Sequence, residues 1–432
     1  MASDFSAARQ TFVDRINAGV SLGIPFLQKK INIGKKFITE DARNNGEITI
    51  YFPAGGTGSV EALSGPSGLV SGALDRTSFQ SAGKGSASYF KETFYARNSF
   101  EFLEYGALQK LFQTGNIKQN IVQPRVNHLC QNTEKDLVER NWTRAAGCTV
   151  TSVIGFGVLG KAMSYIETIK STGSWTGFMS PLLKSLISDS TLSKASGFDV
   201  PDSVLRDMYG KYALGYCQGA EWVNEPFMPV FKSGALNTTD SASGITVKSD
   251  VTTQGATEIV ITGFAASGTI KKGTPFTIEG VYDVSTAGIK MDWLKTFIVQ
   301  EDAIAVADSA VYKYTLKVLP MYFNDDTKGY ANNLFNSDSK IPATAAVKGL
   351  CAASSTYYTA FIKEDEALNF TPFELPDVEG CTNTTTSTED LTVQLCSGGA
   401  LLTRKNSMRL DCPYFGDIID PRACRLVMVK VA

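Results

Sequence analysis

The chain changes texture near residue 236, and this limits its fold more than any short motif does. From Asn237 to about Tyr330 it is rich in Thr, Ser and Val. The runs Gly244-Ile245-Thr246-Val247, Glu258-Ile259-Val260-Ile261, Pro275-Phe276-Thr277-Ile278, Phe297-Ile298-Val299 and Tyr312-Lys313-Tyr314-Thr315-Leu316 read as short strands separated by turn signals. That pattern describes a small all-β sandwich or barrel. The sequence on either side mixes helical and extended patterns, so the β segment reads as a domain inserted into another. A chain of 432 residues is long enough for two or three separate cores.

Before the insert, Phe5, Ala8, Phe12, Ile16 and Val20 recur at helical spacing, with Ser3 or Asp4 as a cap. Two basic doublets follow, Lys29-Lys30 and Lys35-Lys36. They are read either as a solvated basic strand edge or as an arm meeting acidic protein or a phosphate backbone. Residues 47–52 alternate like a strand, and Ser88–Tyr95 reads as its return. Between them lies a glycine- and serine-rich stretch. A free two-stranded excursion of this kind is barely stable in water, so cover by a neighbouring subunit would account for it. Residues 97–147 read as mostly helical, on Phe100, Phe102, Leu103, Leu129, Leu137, Val138 and Trp142, with Pro124 at a helix start or kink. A second helix is expected around Phe178–Ile187. After the insert, the Thr/Ser tract at 382–388 reads as an exposed loop, and Cys424–Val431 as a strand of a buried sheet.

Composition narrows the function. Forty-one basic against 43 acidic residues leave a net charge of −2, so there is no overall basic field for a dedicated nucleic-acid binder. The single histidine, His128, excludes multi-histidine metal sites. Eight cysteines stand at wide spacings without a C-x-x-C pair, and read as reduced, buried small hydrophobes. No signal peptide is expected at the start, and no run of about 18 apolar residues suggests a membrane span. The charged fraction, 19% with 38 glycines, is low against the usual value of about 25% and leans toward a chain that covers its surface with copies of itself.

Gly155-Phe156-Gly157-Val158-Leu159-Gly160 matches the G-x-G-x-x-G fingerprint, but no acidic residue follows about 20 positions on. With Lys161 it nearly matches a P-loop, yet Ala162 stands where Ser or Thr should meet magnesium. Close packing accounts better for these glycines. Glu364-Asp365-Glu366 reads as a solvated turn, and His128 and Cys130 point in different directions on a helix. No catalytic constellation survives, and the chain is expected not to be an enzyme and to need no cofactor or metal.

The order of parts resembles the major capsid (coat) proteins of tailed bacteriophages, with their HK97-like fold. More narrowly it resembles the short-tailed, P22-type branch, which carries an inserted β-barrel domain. Three stretches carry the resemblance: Gly244–Val247 with Ile270-Lys271-Lys272-Gly273-Thr274-Pro275-Phe276-Thr277-Ile278-Glu279-Gly280-Val281; Phe361–Leu368 with Phe370; and Arg409-Leu410-Asp411 with Gly416 and Ile419-Asp420-Pro421. The resemblance implies an α+β chain: an N-terminal arm (1–46), an extended hairpin loop or E-loop (47–96), a P-domain with a spine helix (97–147), an A-domain in two parts (148–235 and 336–400), the inserted barrel (236–335), and a return to the P-domain with the final strand (401–432). The long helix and final strand would form the stiff spine.

It also implies self-assembly through hexamers and pentamers into an icosahedral head around double-stranded DNA. The partners would be a scaffolding protein and a portal, with weak contact to the genome and none to a membrane. The location would be the virion, and the host cytoplasm during assembly. Asp75, Arg76 and Lys84, the charges of an otherwise neutral loop, are candidate inter-subunit contacts. Lys29, Lys30, Lys35 and Lys36 are candidates to face scaffold or DNA. Two other readings remain: a cofactor-binding enzyme built on 155–160, and a phage tail or adhesion protein.

Overall fold

The computed structural model describes residues 47–53, 89–106, 123–169, 173–192, 215–241, 244–252, 256–284, 290–322, 340–365, 367–379, 381–387, 392–400, 405–418, 421 and 424–431. Strands β1 (Glu47–Pro53) and β2 (Tyr89–Tyr95) pair antiparallel in unbroken register, from Glu47 opposite Tyr95 to Pro53 opposite Tyr89. After Ala96 the chain continues into β3 (Arg97–Gly106), which lies along β22 (Lys405–Ile418) from Tyr414 opposite Arg97 to Lys405 opposite Gly106. The same five-stranded sheet holds β19 (Leu368–Pro372), β20 (Thr382–Ser387) and β21 (Thr392–Ala400).

Two expectations are corrected here. Residues 97–106 form a strand rather than a helix. Ser99-Phe100-Glu101-Phe102 alternates with period two, burying Glu101 while Phe100 and Phe102 stay exposed, and that period fits the pleat. The Thr/Ser tract is strand β20 rather than a loop; its β-branched threonines suit the pairing with β21.

Helix α1 (Gln123–Asn141) starts with Pro124 in its first turn, where no amide hydrogen bond is lost. It packs on β3 and β22. The final strand, β23 (Cys424–Val431), lies in a different, seven-stranded sheet. That sheet runs β4 (Cys148–Thr151), β23, β18 (Thr356–Glu364), β5 (Trp175–Met179), β7 (Ala220–Asn224), β6 (Gly215–Cys217), with β8 (Val230–Lys232) also on β18. β4 with β23 and β5 with β7 are parallel, and the other pairs antiparallel. Helices α2 (Phe156–Ile169) and α3 (Pro181–Leu192) flank it. The second helix thus begins later than expected: Phe178 and Met179 belong to β5, and the Ser180 hydroxyl accepts the Leu183 amide hydrogen bond (3.2 Å) as a cap. Cys424–Val429 are all buried, as a strand covered on both faces requires.

The third unit is all β. β9 (Thr246–Val247), β10 (Ala256–Phe264), β16 (Val311–Tyr322), β13 (Lys290–Val299), β12 (Pro275–Val284) and β17 (Val347–Gly349) are hydrogen-bonded in that order. The ring then closes. Thr246 bridges Ala346, Val347 N donates to Ile245 O (2.9 Å), and Val247 N donates to Ala345 O (3.0 Å). Closure into a barrel removes open sheet edges. Short β11 (Thr269–Ile270), β14 (Ala303–Ile304) and β15 (Val306–Asp308), and the single-turn α4 (Thr238–Ser241), complete it. Its core, including Ile259, Ile261, Phe276, Phe297, Tyr314 and Leu316, is separate from the core under the two other sheets. Phe276 and Phe297 stack with ring centroids 5.5 Å apart.

Phe276→Ala should cost about 3–5 kcal/mol of stability in a denaturant titration, because the stacked ring cannot be replaced by collapse of a closed barrel. Ile304→Ala, at a side chain 74% exposed, should stay within about 0.5 kcal/mol. Equal losses would show that the barrel has no distinct core.

Candidate assembly surface

Helix α1 ties the units together through polar contacts set one or two turns apart. Near its start, Arg125, His128 and Asn132 converge on Glu101 of β3, a carboxylate only 8% exposed. Arg125 Nη1 donates to Oε2 (3.2 Å) and Asn132 Nδ2 to Oε1 (3.3 Å), while His128 Nδ1 meets Oε1. Positions 125, 128 and 132 share one helical stripe, which is why three side chains reach one carboxylate. This cluster anchors the base of the β1–β2 hairpin, because β2 runs into β3 across one residue. Toward the other end, Arg140 bonds Asp136 (3.0 Å), Asp417 (2.7 Å) and the Gly416 carbonyl (2.9 Å). The Tyr414 hydroxyl donates to Asp136 (2.6 Å). Burial alone would lower the Arg140 pKa, but Asp417 and Asp136 outweigh it and raise it, so the guanidinium stays charged. Burial, then Asp136, pushes the Tyr414 phenol up.

The same helix ends against the barrel. Trp142 lies over Gly273, whose φ of +90° favours glycine and where a Cβ would overlap the indole. Thr143 and Gln300 exchange two hydrogen bonds (3.0 and 2.9 Å), and Lys272 Nζ donates to the Glu139 carbonyl (2.6 Å). A second seam joins the far end of the β12–β13 hairpin to the seven-stranded sheet. Asp283 accepts from Lys295 Nζ (2.8 Å) and Trp293 Nε1 (3.3 Å), with both ionic side chains buried. Trp293 packs edge-on against Tyr165 of α2 at 5.1 Å. The Arg425 guanidinium of β23 lies over the ring of the same tyrosine (4.4 Å to its centroid), and its Nε donates to Thr149 (2.8 Å). Burial lowers the Arg425 pKa, with Asp283 opposing it.

The face of β3 turned away from α1 presents aromatic surface. Phe100 is 56% and Phe102 54% exposed, with the Arg409 guanidinium 4.8 Å from the Phe100 ring centroid. Arg409 and Asn98 both bond the buried Asp411 (2.9 and 2.7 Å), so the cation over the ring is held in place. Tyr95, at the hairpin base, is also exposed. Apolar side chains grouped beside an arm are what a contact with another chain would use.

Asp75, Arg76 and Lys84, and likewise Lys29, Lys30, Lys35, Lys36 and the helix expected over 5–20, lie outside the described residues. The glycine run sits at the start of α2, after edge strand β4. At Gly160 a Cβ would stand 2.6 Å from Gln218 Oε1, so close packing accounts for that glycine, whereas at Gly157 a Cβ would meet nothing within 4 Å and close packing does not. The acidic turn is not simply solvated: Asp365 accepts from Ser174 (2.7 Å) and Thr176 (2.6 Å) and so closes the β18 end onto β5. Seven described cysteines are free, and all but Cys381 are buried. Among the described residues no group of three or more His, Cys, Asp or Glu could hold a metal ion, and no helix is long and apolar enough to cross a membrane. Sequence reasoning missed the Glu101–His128 contact and the Asp283–Lys295 pair. Nothing in the local pattern marks partners 27 and 12 positions apart.

No family model and no curated protein matches the chain. Solved structures similar to it include Mycobacterium phage Che8 (TM-score 0.42, 7% identity, 94% of this chain and 90% of that one covered). The cyanophage Pam1 capsid scores 0.41 at 7% identity, covering 89% and 85%. The acid-stable capsid of Helicobacter pylori bacteriophage KHP30 scores 0.40 at 8% identity, covering 93% and 87%. These scores and identities are low.

Asp283→Ala should cost about 3–5 kcal/mol, because it strands the Lys295 ammonium in the interior. Replacing both, as Asp283→Leu with Lys295→Met, should recover most of that loss in chemical denaturation. A single variant within about 1 kcal/mol of the parent would mean that the pair is not desolvated.

Proposed function

We propose that the chain is the major capsid protein of a tailed double-stranded DNA bacteriophage, with an HK97-like fold and an inserted barrel of the P22 type. The observation that carries this is the β1–β2 hairpin. It is a two-stranded ribbon joined by one residue to the sheet under α1, and among the described residues no third strand pairs with it, which leaves a ribbon of this kind in need of cover. A neighbouring copy is the natural source of cover, and the aromatic face at Phe100 and Phe102 lies at the ribbon's base. The sequence resemblance supports the same reading, as do a separate closed barrel within a mixed fold and a low fraction of charged residues. A shell needs many modest, reversible contacts so that errors anneal, rather than one tight interface.

In this reading residues 47–96 are the extended loop, 97–147 with 401–432 the P-domain, 148–235 with 336–400 the A-domain, and 236–335 the inserted domain. Asp75, Arg76 and Lys84 contact neighbours in hexamers and pentamers. Lys29, Lys30, Lys35 and Lys36 face a scaffolding protein or the packaged DNA. A portal completes the head, and the chain has no catalytic task.

Negative-stain electron microscopy of the purified protein, alone and with its candidate scaffold, should give closed or aberrant shells of regular curvature. Phe100→Ser with Phe102→Ser should abolish shells while leaving subunit stability within about 1 kcal/mol, since both rings are exposed. Small oligomers under every condition, for the parent as for the variant, would overturn the proposal.

A further inference from the structure

The five-stranded sheet has two open margins. Residues 405–411 of β22 pair with β21 on one edge and with β3 on the other. β21 in turn carries β20, so β3 and β20 stand at opposite margins, and among the described residues no further strand pairs with either. Open edges are commonly guarded by charge, proline or a bulge. β20 reads Thr382-Asn383-Thr384-Thr385-Thr386-Ser387 in unbroken register and has none of these. The two margins differ in chemistry. Residues directly opposite in antiparallel strands share a face, so Phe102 with Arg409 and Phe100 with Asp411 lie on one side of the sheet. Both rings are more than half exposed. Arg409 donates from Nε and Nη2 to Asp411 (2.9 and 2.8 Å); Nη1 takes part in neither bond, and the side chain is 49% exposed. Arg97, at the start of β3, is a second exposed cation. The β20 margin is acidic. Gln394, opposite Asp411 and so on the same face, donates to Asp377 (3.3 Å), and Asn383 of β20 donates to the Val378 carbonyl (2.9 Å). These two bonds hold the segment 374–379 over that margin. Glu374, Asp377 and Glu379 are exposed, as is Val378, and among the described residues no cation pairs with the three carboxylates.

We propose that the β3 margin of one copy receives the acidic segment 374–379 of the next, so that copies join head to tail through this sheet. The inference deepens the capsid reading and rests on it. In the contact Val378 meets the two aromatic rings, and the carboxylates meet Arg409 and Arg97. A cationic aromatic margin and an acidic one attract each other, while acid against acid is repelled, which fixes the order of the copies. The two patches sit at opposite edges of one sheet, so the contact is heterologous. Each copy turns a different surface to each neighbour, and repetition closes a ring when the rotation per copy allows it.

The test places the photo-crosslinking residue p-benzoylphenylalanine at position 102 of the full chain and assembles it as a mixture of isotopically light and heavy copies with the candidate scaffold. Mass spectrometry should find position 102 joined to the segment 374–379 of a different copy. If the bulky probe blocks assembly, the same probe at position 378 reads the contact from the other side and should reach β3 or β22. Glu374→Lys with Glu379→Lys should cut the yield of shells about tenfold, while the subunit's unfolding midpoint stays with that of the parent, because both side chains are exposed and unpaired. Shells that form with crosslinks only to other segments, or that form undiminished from the lysine variant, would overturn this contact and leave the capsid reading standing. The absence of shells from the parent under every condition would overturn both.

Discussion

Everything in this fold is referred to one 19-residue helix whose side chains are mostly polar. Helix α1 has few large apolar residues, with Leu129, Leu137 and Val138 buried in the shared core. What distinguishes it is that successive stripes meet different units. Arg125, His128 and Asn132 hold Glu101 at the hairpin base, Arg140 and Asp136 hold β22, and Glu139 with the following Trp142 and Thr143 holds the barrel. Because 3.6 residues make a turn, contacts three to eight positions apart fall on the same or neighbouring stripes. Moving this helix by one residue would break all three sets at once. A strut held in this way transmits displacement from the hairpin to the barrel, because close-packed contacts and directional hydrogen bonds do not deform gradually.

The barrel is bound to this frame by chemistry that favours one geometry over raw stability. A buried ion pair such as Asp283 with Lys295 contributes little net stability against an apolar pair, because desolvation offsets the attraction. It does penalise every arrangement in which one partner lacks the other. Placed beside the Trp293–Tyr165–Arg425 stack, it fixes how the β12–β13 hairpin meets α2 and β23. The second seam, Trp142 in the space over Gly273, excludes a side chain at 273 and fixes the same orientation from the other end. Two separated seams leave the barrel only the line between them as an axis about which to swing.

Much of this was legible in the sequence where periodicity and burial agree. The barrel strands around Val247, Ile261, Phe276, Phe297 and Leu316 were marked by their own apolar runs, and β23 by its continuous apolar segment. Strands β1 and β2 were marked by alternation. The failures have physical causes. Phe100, Leu103 and neighbouring apolar residues fit helical spacing as well as they fit a strand, and pairing with Lys405–Tyr414, some 300 residues away, decided for the strand. Phe178 and Met179 read as helical because a strand buried on both faces loses its alternation. The polar joints were invisible because each joins residues far apart in sequence. His128 was weighed against its neighbour Cys130, whereas its partner is Glu101 on another element.

The joints also suggest why a chain of this kind carries its arm where it does. Strand β3 has one edge along β22 and one face over α1, so among the described strands the hairpin that precedes it pairs with itself and joins the sheet at its root. Glu101 sits at that root, and the opposite face of the same strand turns Phe100 and Phe102 outward. One short segment therefore couples inward anchoring to outward exposure with alternate residues. A force on the hairpin from a neighbouring molecule enters β3, which shares it with β22 along their paired edge and with α1 through Glu101. In the proposed shell, this makes the hairpin more than a strap. It becomes the lever through which a neighbour's position reaches the helix and, through Trp142 and Thr143, the barrel on the far side.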